Sequence, residues 1–386
     1  MKRDRIVGAR RGAALPLALI VLVVSSLLAL GALTMSRQTF RAGRNALVEQ
    51  RSFHVAEYGL NREISNWRRE RNLPPPTGME FGAIDSSRVY IAAGDTARVK
   101  ITRLNRTTYL VVSDGRAAIS SKQMDSRRSV STFVRLAYPN INPLGAITTA
   151  GPLTITGAAS ADGRNTTPTT WSQTYCDGLP GGDKYAVAMP PDSTFNGLAN
   201  LEGTLKVLRD PLAGDSNTYI SYGTETWKSL ASNADLRLPG GFNASPTPIL
   251  NGTADCDRGS LNNWGEPYRT GTRVTQCETY FPIIFVDGDL EIEKDGRGQG
   301  ILLVNGNFKI RGNFDWIGLI VVTKDIVKGN GTANIFGAVM SRSAEIGAGM
   351  IAGNQDIKYS KCALETVMRG SAILTRVVER PWTQIY

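Results

Sequence analysis

The chain has 386 residues, of which 41% are hydrophobic and 20% charged, a composition typical of folded proteins and not of disordered ones. Its formal net charge is +10, but the basic residues form no linear stripe with interleaved aromatic residues, so we expect no nucleic-acid partner. The chain has four cysteines without a CxxC pair and one histidine, His54, and we expect neither a metal nor a cofactor.

A short basic segment begins the chain. Residues 1–12 contain five Lys or Arg residues and one acidic residue. A basic segment directly before an apolar helix keeps that end of the chain in the cytoplasm. The pattern therefore predicts a single-pass protein of the bacterial inner membrane, with residues 1–12 as a cytoplasmic leader and the body outside the cytoplasm.

The next segment is apolar. Residues 13–35 (AALPLALIVLVVSSLLALGALTM) include no charged side chain. As a helix they cover roughly the ~30 Å hydrocarbon core of a bilayer. A cleaved secretory signal has a shorter apolar region of about 7–15 residues. We therefore predict a transmembrane helix over residues 13–35.

The helix is predicted to continue through residues 13–71, because no proline lies between Arg37 and Arg71. An apolar stripe with helical spacing marks its outer half. The stripe consists of Phe53, Ala56, Leu60, Ile64 and Trp67. Two partners fit such a stripe: the β domain of the same chain, or the helix of another protein.

Pro16 constrains where the helix begins. A proline in the helix interior costs about 3 kcal/mol or more, whereas in the first turn its missing N–H is no loss. A cut between Gly12 and Ala13 would place Pro16 in that first turn. The sequence therefore accommodates a helix that begins where a leader is removed.

The N-terminal residues resemble a known family. Arg10-Arg11-Gly12 before an apolar helix is similar to the class III leader of prepilins, which prepilin peptidase cuts after the glycine. The first seventy or so residues, including the run Ala56-Glu57-Tyr58-Gly59-Leu60, resemble the N-terminal domain of PilX-type pilus assembly proteins. The resemblance implies processing at Gly12 and Ala13, with prepilin peptidase and other pilins or pseudopilins as partners. The residues expected to act in helix assembly are Pro16, Leu17, Phe53, Ala56, Glu57, Leu60, Ile64 and Trp67.

Leu17 departs from the usual pilin pattern. Most pilins have Glu as the fifth mature residue, where it is thought to pair with the N-terminal amine of a neighbour, and Leu17 occupies that position here. PilX-type proteins and the K-type pseudopilin of type II secretion share this absence. An amine buried without its carboxylate costs more than one with it, so the departure favours a low-copy minor or tip subunit.

A small antiparallel β domain is predicted over residues 77–138. Its strand-like runs are rich in Val, Ile, Thr and Tyr, and one of them alternates as half-buried strands do. The runs are Arg88–Ala93, Ala97–Leu104, Tyr109–Ser113 and Ser129–Leu136. Asn105-Arg106 and Asp114-Gly115 are predicted as turns between them.

Residues 145–386 are predicted to form a parallel β-solenoid with rungs of about 18 residues. Similar segments begin at Phe285, Leu303, Val321 and Val339, at an offset of 18 residues each time. Ile147–Ile155 fits the same template as a separate first rung, and residues 165–280 are interpreted as an irregular insertion. Over about seventy residues, the solenoid ending in Tyr359-Ser360-Lys361-Cys362-Ala363 also resembles the C-terminal domains that are often joined to PilX-like N-termini.

The cysteines become disulfide candidates if the body lies outside the cytoplasm. Cys176, Cys256, Cys277 and Cys362 permit three full pairings, and the sequence does not choose between them. Cys256 with Cys277 is the pair we favour, because it encloses a short, polar and turn-rich segment.

One acidic row needs weighing as a catalytic site. Asp287, Asp289, Glu291 and Glu293 alternate along one strand, and paired carboxylates can cleave glycosidic bonds. In the next copy of the repeat, however, Glu291 faces Lys309 and Glu293 faces Arg311, which predicts cross-strand ion pairs on a solvated surface. We therefore expect no catalytic residues.

The predicted fold class is α+β and mostly β, with a long N-terminal transmembrane helix, a small antiparallel sheet and a C-terminal parallel solenoid. The predicted function is that of a non-enzymatic minor pilin or pseudopilin-like subunit, acting in the assembly, priming or tip of a type IV pilus or type II secretion-related filament. Two other interpretations stay open: a membrane-anchored β-solenoid enzyme acting on carbohydrates, and a surface adhesin unrelated to pili.

Overall fold

The computed structural model describes residues 14–73, 81–92, 94–120, 123–137, 139–171, 176, 181–327, 331–341, 349–351, 355–376 and 382–385. These residues form a long N-terminal apolar helix and a mostly β body with both antiparallel and parallel sheets. The helices are α1 Ala14–Ser65, α2 Asn217–Ile220, α3 Trp227–Ser232 and α4 Lys361–Gly370. Short 3₁₀ turns cover Arg69–Asn72, Leu198–Asn200, Pro211–Gly214 and Thr275–Cys277.

The strands follow in chain order. The first half of the chain contributes β1 Gly82–Ala92, β2 Asp95–Arg103, β3 Thr108–Ser120, β4 Gln123–Ala137, β5 Gly145–Thr149, β6 Leu153–Ile155, β7 Ser160–Asp162 and β8 Tyr185–Met189. The middle contributes β9 Phe195–Asn196, β10 Leu201–Glu202, β11 Val207–Arg209, β12 Ser221–Tyr222, β13 Glu225–Thr226, β14 Leu236–Pro239 and β15 Phe242–Ala244. The last part contributes β16 Ile283–Asp287, β17 Leu290–Ile292, β18 Gly296–Val304, β19 Phe308–Ile310, β20 Phe314–Val322, β21 Ile326–Val327, β22 Ala333–Ser341, β23 Gly349–Ile351, β24 Gln355–Tyr359, β25 Ile373–Arg376 and β26 Trp382–Ile385.

Helix α1 ends at Ser65, so the predicted helix end at Arg71 was wrong. The chain then turns into the 3₁₀ segment Arg69–Asn72. Within this turn the indole N–H of Trp67 donates to the side-chain oxygen of Asn72 at 2.8 Å, and the amide of buried Asn72 donates to two carbonyls near the C-terminus. These tertiary hydrogen bonds replace the helical ones, which is why the helix stops before the prolines.

The first sheet is antiparallel, with the order β1-β2-β3-β4, and it covers one face of α1. Both C-terminal strands, β25 and β26, also pair with β4. The predicted boundary that gave residues 145–386 entirely to the second domain was therefore wrong at its C-terminal end. The end of the chain returns to the first sheet and closes the edge that β4 would otherwise expose.

The second body is built from stacked parallel strands. Its main sheet runs β14-β16-β18-β20-β22, and β15-β17-β19-β21 form a second parallel sheet. The registers Ile283↔Ile301 and Gly300↔Gly318 repeat at 18 residues, as the sequence repeat predicts. Buried side chains of these strands form most of the largest hydrophobic cluster among the described residues.

The 18-residue period is not kept beyond β20. Gly318 pairs with Gly337 and Val321 with Met340, an offset of 19 residues, so the predicted alignment of Val321 with Val339 was wrong. The additional residue lies between β21 and β22, because Phe308↔Ile326 still has the 18-residue offset. Positions 328, 344 and 346 of the predicted apolar columns lie outside the described residues.

Three glycines stack in register within β18, β20 and β22. Gly300, Gly318 and Gly337 have φ values of 124°, 139° and 142°, a region that L-residues rarely adopt. A Cβ on Gly318 would lie 2.1 Å from the carbonyl oxygen of Gly300, and one on Gly337 would lie 2.0 Å from that of Gly318. These positions therefore require glycine both for their backbone angles and for the close approach of the neighbouring strand's carbonyl oxygen.

Two predictions about the middle of the chain need correction. Ile147–Ile155 was predicted as a first rung, but β5 pairs with β22 and β6 pairs with β23, next to the last copy of the repeat. Residues 165–280 were predicted to be irregular. They contain β8, β11 and β14, which join the same parallel sheet. Even short strands pair the backbone N–H and C=O groups that the edge of a sheet would otherwise leave without partners.

The structure joins the cysteines in two pairs. Cys256 is bonded to Cys277, the pair that the short loop favoured, and Cys176 is bonded to Cys362. The second bond ties residue 176 to the first turn of α4. The Cys176–Cys362 bond therefore anchors part of the predicted insertion to α4, whereas the Cys256–Cys277 bond closes a loop within the insertion.

Candidate functional site: helix α1 and its junction with the sheet

The first part of α1 is apolar and uncovered. Large hydrophobic side chains between Leu15 and Met35 are exposed, Leu15 by 76% and Val23 by 48%. The helix is long and apolar enough to cross a membrane, and its most apolar 18-residue stretch has a mean hydropathy of 2.6. Hydroxyl groups in this segment bond back to helix carbonyls, such as Ser26 to Leu22, so they need no water.

The processing residues lie at the limit of the described chain. Gly12 and Ala13 lie outside the described residues, which begin within the predicted first turn. Pro16 is the third residue of α1, a position that tolerates proline, and Leu17 follows it as an exposed side chain. The first turn of α1 contains no acidic residue.

The outer half of α1 packs on the chain's own sheet. Ala56 and Leu60 are buried in a cluster with residues of β2, β3 and β4, and Phe53, Ile64 and Trp67 pack against its edge. Of the two partners that the sequence left open, the structure therefore has the apolar stripe on the β domain of the same chain. These residues position the helix on the body and are not free for another pilin.

The exposed side of the same segment is polar. Glu57 projects into solvent, with His54 near it at 3.6 Å, and Tyr58 is half exposed. Of the predicted assembly residues in this half of the helix, Glu57 is the one that a partner could reach. His54 contacts the carboxylate of Glu57, and both side chains are exposed.

Two glycines allow α1 to approach the sheet closely. A Cβ on Gly59 would lie 2.4 Å from the Cβ of Ala97, and one on Gly115 would lie 2.2 Å from the carbonyl oxygen of Ser52. Gly115 lies inside β3, so the predicted turn at Asp114-Gly115 was wrong. A glycine within a strand often marks such a close approach of another backbone, a signal that the sequence did contain.

Ion pairs hold the end of the junction that is nearer the apolar part of α1. The guanidinium of Arg51 on α1 donates to Asp95 at 2.8 Å, and Asp95 is 4% exposed. Arg128 on β4 contacts Glu49 on α1. Sequence reasoning missed these residues, because nothing in the linear sequence relates a helix arginine to an aspartate 44 positions away.

A second polar node lies at the far end of α1. The Arg71 guanidinium donates to Asp85 at 2.8 Å and to Glu63 at 3.1 Å, and it lies over the ring of Trp67. Arg68 also donates to Asp85. Burial by itself raises the pKa of the Asp85 carboxyl, but the hydrogen bonds and charges of Arg71 and Arg68 outweigh it, so the pKa lies below its ordinary value.

Asp85→Asn should destabilise the chain by about 1 to 3 kcal/mol at neutral pH, the range for hydrogen bonds to charged groups. Because the pKa of Asp85 is lowered by folding, its contribution is present above the unfolded value near 3.8 and is lost as the pH falls through the folded value. Urea unfolding between neutral pH and about pH 2 should therefore show the two proteins converging in acid. Asp192→Asn, at an exposed surface position, serves as the control. A gap between wild type and Asp85→Asn that stays constant across this range would contradict the assignment.

The acidic row has other partners than predicted. Glu291 lies opposite Lys309 in register, but its carboxylate contacts Arg311, and Glu293 accepts a hydrogen bond from Asn243 at 3.0 Å. The two predicted pairs, Glu291–Lys309 and Glu293–Arg311, were therefore wrong, because the long Arg311 side chain reaches its diagonal neighbour. Among the described residues, no group of three or more His, Cys, Asp or Glu is placed to hold a metal.

Comparison with known proteins gives little further guidance. No protein-family model matches the sequence, and no curated protein matches it. A solved structure that matches is the crystal structure of the competence-associated pilin ComZ from Thermus thermophilus, at 13% identity and a TM-score of 0.25, covering 88% of this chain and 98% of that one. A TM-score this low carries no argument about fold or function, so both rest on the residues of this chain.

Proposed function

We propose that the protein is a non-enzymatic pilin-like subunit of the inner membrane, a minor pilin or pseudopilin that acts in the assembly, priming or tip of a type IV pilus or type II secretion-related filament. The observation that carries the proposal is the division of α1. Its first part is apolar and uncovered, whereas its outer half is fixed to a β body. One helix thus provides both an anchor and a rigid stalk.

The basic leader supports the orientation. Residues 1–12 would remain in the cytoplasm, and Arg10-Arg11-Gly12 would present a glycine junction to prepilin peptidase. Residues 13–35 would span the bilayer, and the body would then lie outside the cytoplasm, where the two disulfides are chemically permitted.

Leu17 supports a low copy number. A stacked neighbour would present its charged N-terminal amine at membrane depth, and a charge there costs a few kcal/mol on insertion scales unless a carboxylate meets it. Leu17 offers no carboxylate, and α1 has none before Glu49. The chain can place its own amine against another pilin but accepts none in return, which suits a subunit used once in a filament.

The parallel body would be the part that the filament displays. We infer that these stacked parallel strands, with a period of 18 to 19 residues from β18 to β22, form a β-solenoid with a rigid surface. We propose that this solenoid carries an assembly or adhesive role and no catalytic one.

The processing site gives the test. Gly12→Val should abolish removal of the leader, because a branched side chain does not fit a glycine-selective site. Gly8→Val, in the same leader, is the matched control and should be processed as wild type. Mass spectrometry of the membrane-extracted protein should find Ala13, with or without methylation, as the first residue of the wild-type chain. A retained Met1 leader, or a cut near residue 35, would show that the proposal is wrong.

A further inference from the structure

The outer face of the antiparallel sheet, turned away from α1, gathers five basic side chains. Strand pairing sets Arg88 opposite Arg98 and Arg116 opposite Arg127, and Lys100 lies two residues from Arg98 along β2. All five are exposed. We call this set the basic face. Its members are spread over four strands, β1 to β4, so no linear stripe of charge marks them in the sequence.

The arrangement is unfavourable for the sheet itself. Like charges directly opposite each other on neighbouring strands are destabilising, by up to about 1 kcal/mol relative to neutral pairs. Three acidic residues of the described strands lie in or beside the basic face, and one of them, Asp125, is two residues from Arg127 along β4. Asp114 lies opposite Arg98, and Asp85 is already held by Arg71. The positive charge therefore exceeds the negative charge on this surface, and an anionic partner would relieve the repulsion.

The surface is continuous enough for an extended ligand. Two grooves of about 540 and 650 Å³ lie on it, and both are lined by Arg98 and Asp114. The first also includes Arg88, Arg116 and Arg127, so four of the five basic residues share one groove. At about 4.8 Å between strands, the rows of the basic face cover roughly 14 Å across the sheet.

The chemistry between the cations argues against a protein partner. The hydroxyl side chain of Thr96 lies among the basic residues of the first groove, and a second hydroxyl, that of Ser129, donates to Asp114. A protein interface has an apolar, charge-depleted centre, whereas hydroxyl and guanidinium groups together are the usual donors to phosphate oxygens.

The orientation argues against a lipid bilayer. Strand β3 runs beside α1. Gly115 meets Ser52 of the helix, and further along both elements the rings of Tyr109 and Trp67 are 5.2 Å apart. The strands therefore run along the helix axis. If α1 spans the membrane as proposed, the basic face stands along the membrane normal and does not lie on the bilayer.

An aromatic side chain completes the surface. Tyr90 is 69% exposed and lies in the same cross-strand row as Arg116 and Arg127. Single-strand binding combines two elements: cations that follow the phosphate chain, and an aromatic ring that stacks on a base. We propose that the basic face binds single-stranded nucleic acid, with the arginines on the phosphates and Tyr90 against a base. The expectation against a nucleic-acid partner considered only the linear order of the residues.

The test is fluorescence anisotropy with a labelled oligo-dT of about 20 nucleotides and the full chain in non-ionic detergent. The triple variant Arg88→Ala, Arg98→Ala and Arg127→Ala should bind at least ten-fold more weakly. The matched control removes three surface lysines of the parallel body, Lys228, Lys309 and Lys324, and should bind as wild type. Affinity should also fall between about 50 and 200 mM salt, less steeply in the triple variant.

Stacking has a readout of its own. Tyr90→Ala should weaken binding several-fold without changing the salt dependence, and Tyr90→Phe should restore it. The proposal is overturned if the wild-type chain does not bind oligo-dT at low salt, or if the lysine control loses as much affinity as the triple variant. It is also overturned if heparin or phosphatidylglycerol vesicles bind the basic face and oligo-dT does not. None of these outcomes depends on whether the leader is cleaved, so they leave the proposed filament role untouched.

Discussion

Gly318→Ala should destabilise the parallel body by about 3 kcal/mol or more, from backbone strain and overpacking together. The residue has a φ of 139°, and an added Cβ would lie 2.1 Å from the carbonyl oxygen of Gly300. That oxygen belongs to the backbone of the neighbouring strand, so it cannot move without disturbing the ladder between β18 and β20. Urea unfolding followed by tryptophan fluorescence measures the loss, since Trp316 is buried in the same strand.

Two other glycines separate the causes. Gly241 has a φ of 75° and no neighbour within 4 Å of an added Cβ, so Gly241→Ala reports strain alone and should cost about 1 to 2 kcal/mol. Gly252 has no such neighbour and its φ lies outside the left-handed region, so Gly252→Ala should change stability by less than about 0.5 kcal/mol. If Gly318→Ala costs no more than Gly241→Ala, the close approach between strands does not determine the need for glycine.

Gly115→Ala should loosen the body from its helix by about 2 to 3 kcal/mol, the upper range for overpacking. Its Cβ would lie 2.2 Å from the Ser52 carbonyl oxygen and 2.4 Å from the Ala56 nitrogen, both part of the α1 backbone. The helix and sheet would have to separate, which exposes the cluster around Leu60. Amide hydrogen exchange over residues 48–64 should therefore accelerate by one to two orders of magnitude, as that free energy implies.

Gly43→Ala is the matched control for this prediction. Gly43 lies on α1 below the body, with nothing within 4 Å of an added Cβ, and alanine there should stabilise the helix by up to about 1 kcal/mol. Exchange over residues 48–64 should stay as in wild type. Unchanged exchange in Gly115→Ala would mean that the sheet does not hold α1 through this contact.

Much of the architecture follows from local pattern. The uncharged residues 13–35 predict an uncovered apolar helix, because helix length and hydropathy are properties of the segment itself. The repeat at 18 residues predicts which parallel strands are neighbours, as in Ile283↔Ile301, because stacked copies must align their apolar columns. A short polar loop likewise singled out Cys256 and Cys277, which the structure joins.

Other features depend on contacts between distant residues. Gly115 looks like a turn glycine until α1 packs over it, and the end of α1 at Ser65 depends on hydrogen bonds that Asn72 makes near the C-terminus. The pairing of β25 and β26 with β4 gives the first sheet strands that lie some 240 residues later in the chain. The basic face appears only when β1, β2, β3 and β4 align, because residues on neighbouring strands have no fixed spacing in sequence. Periodicity records which side of an element is buried, whereas the partner that buries it is decided by the tertiary fold.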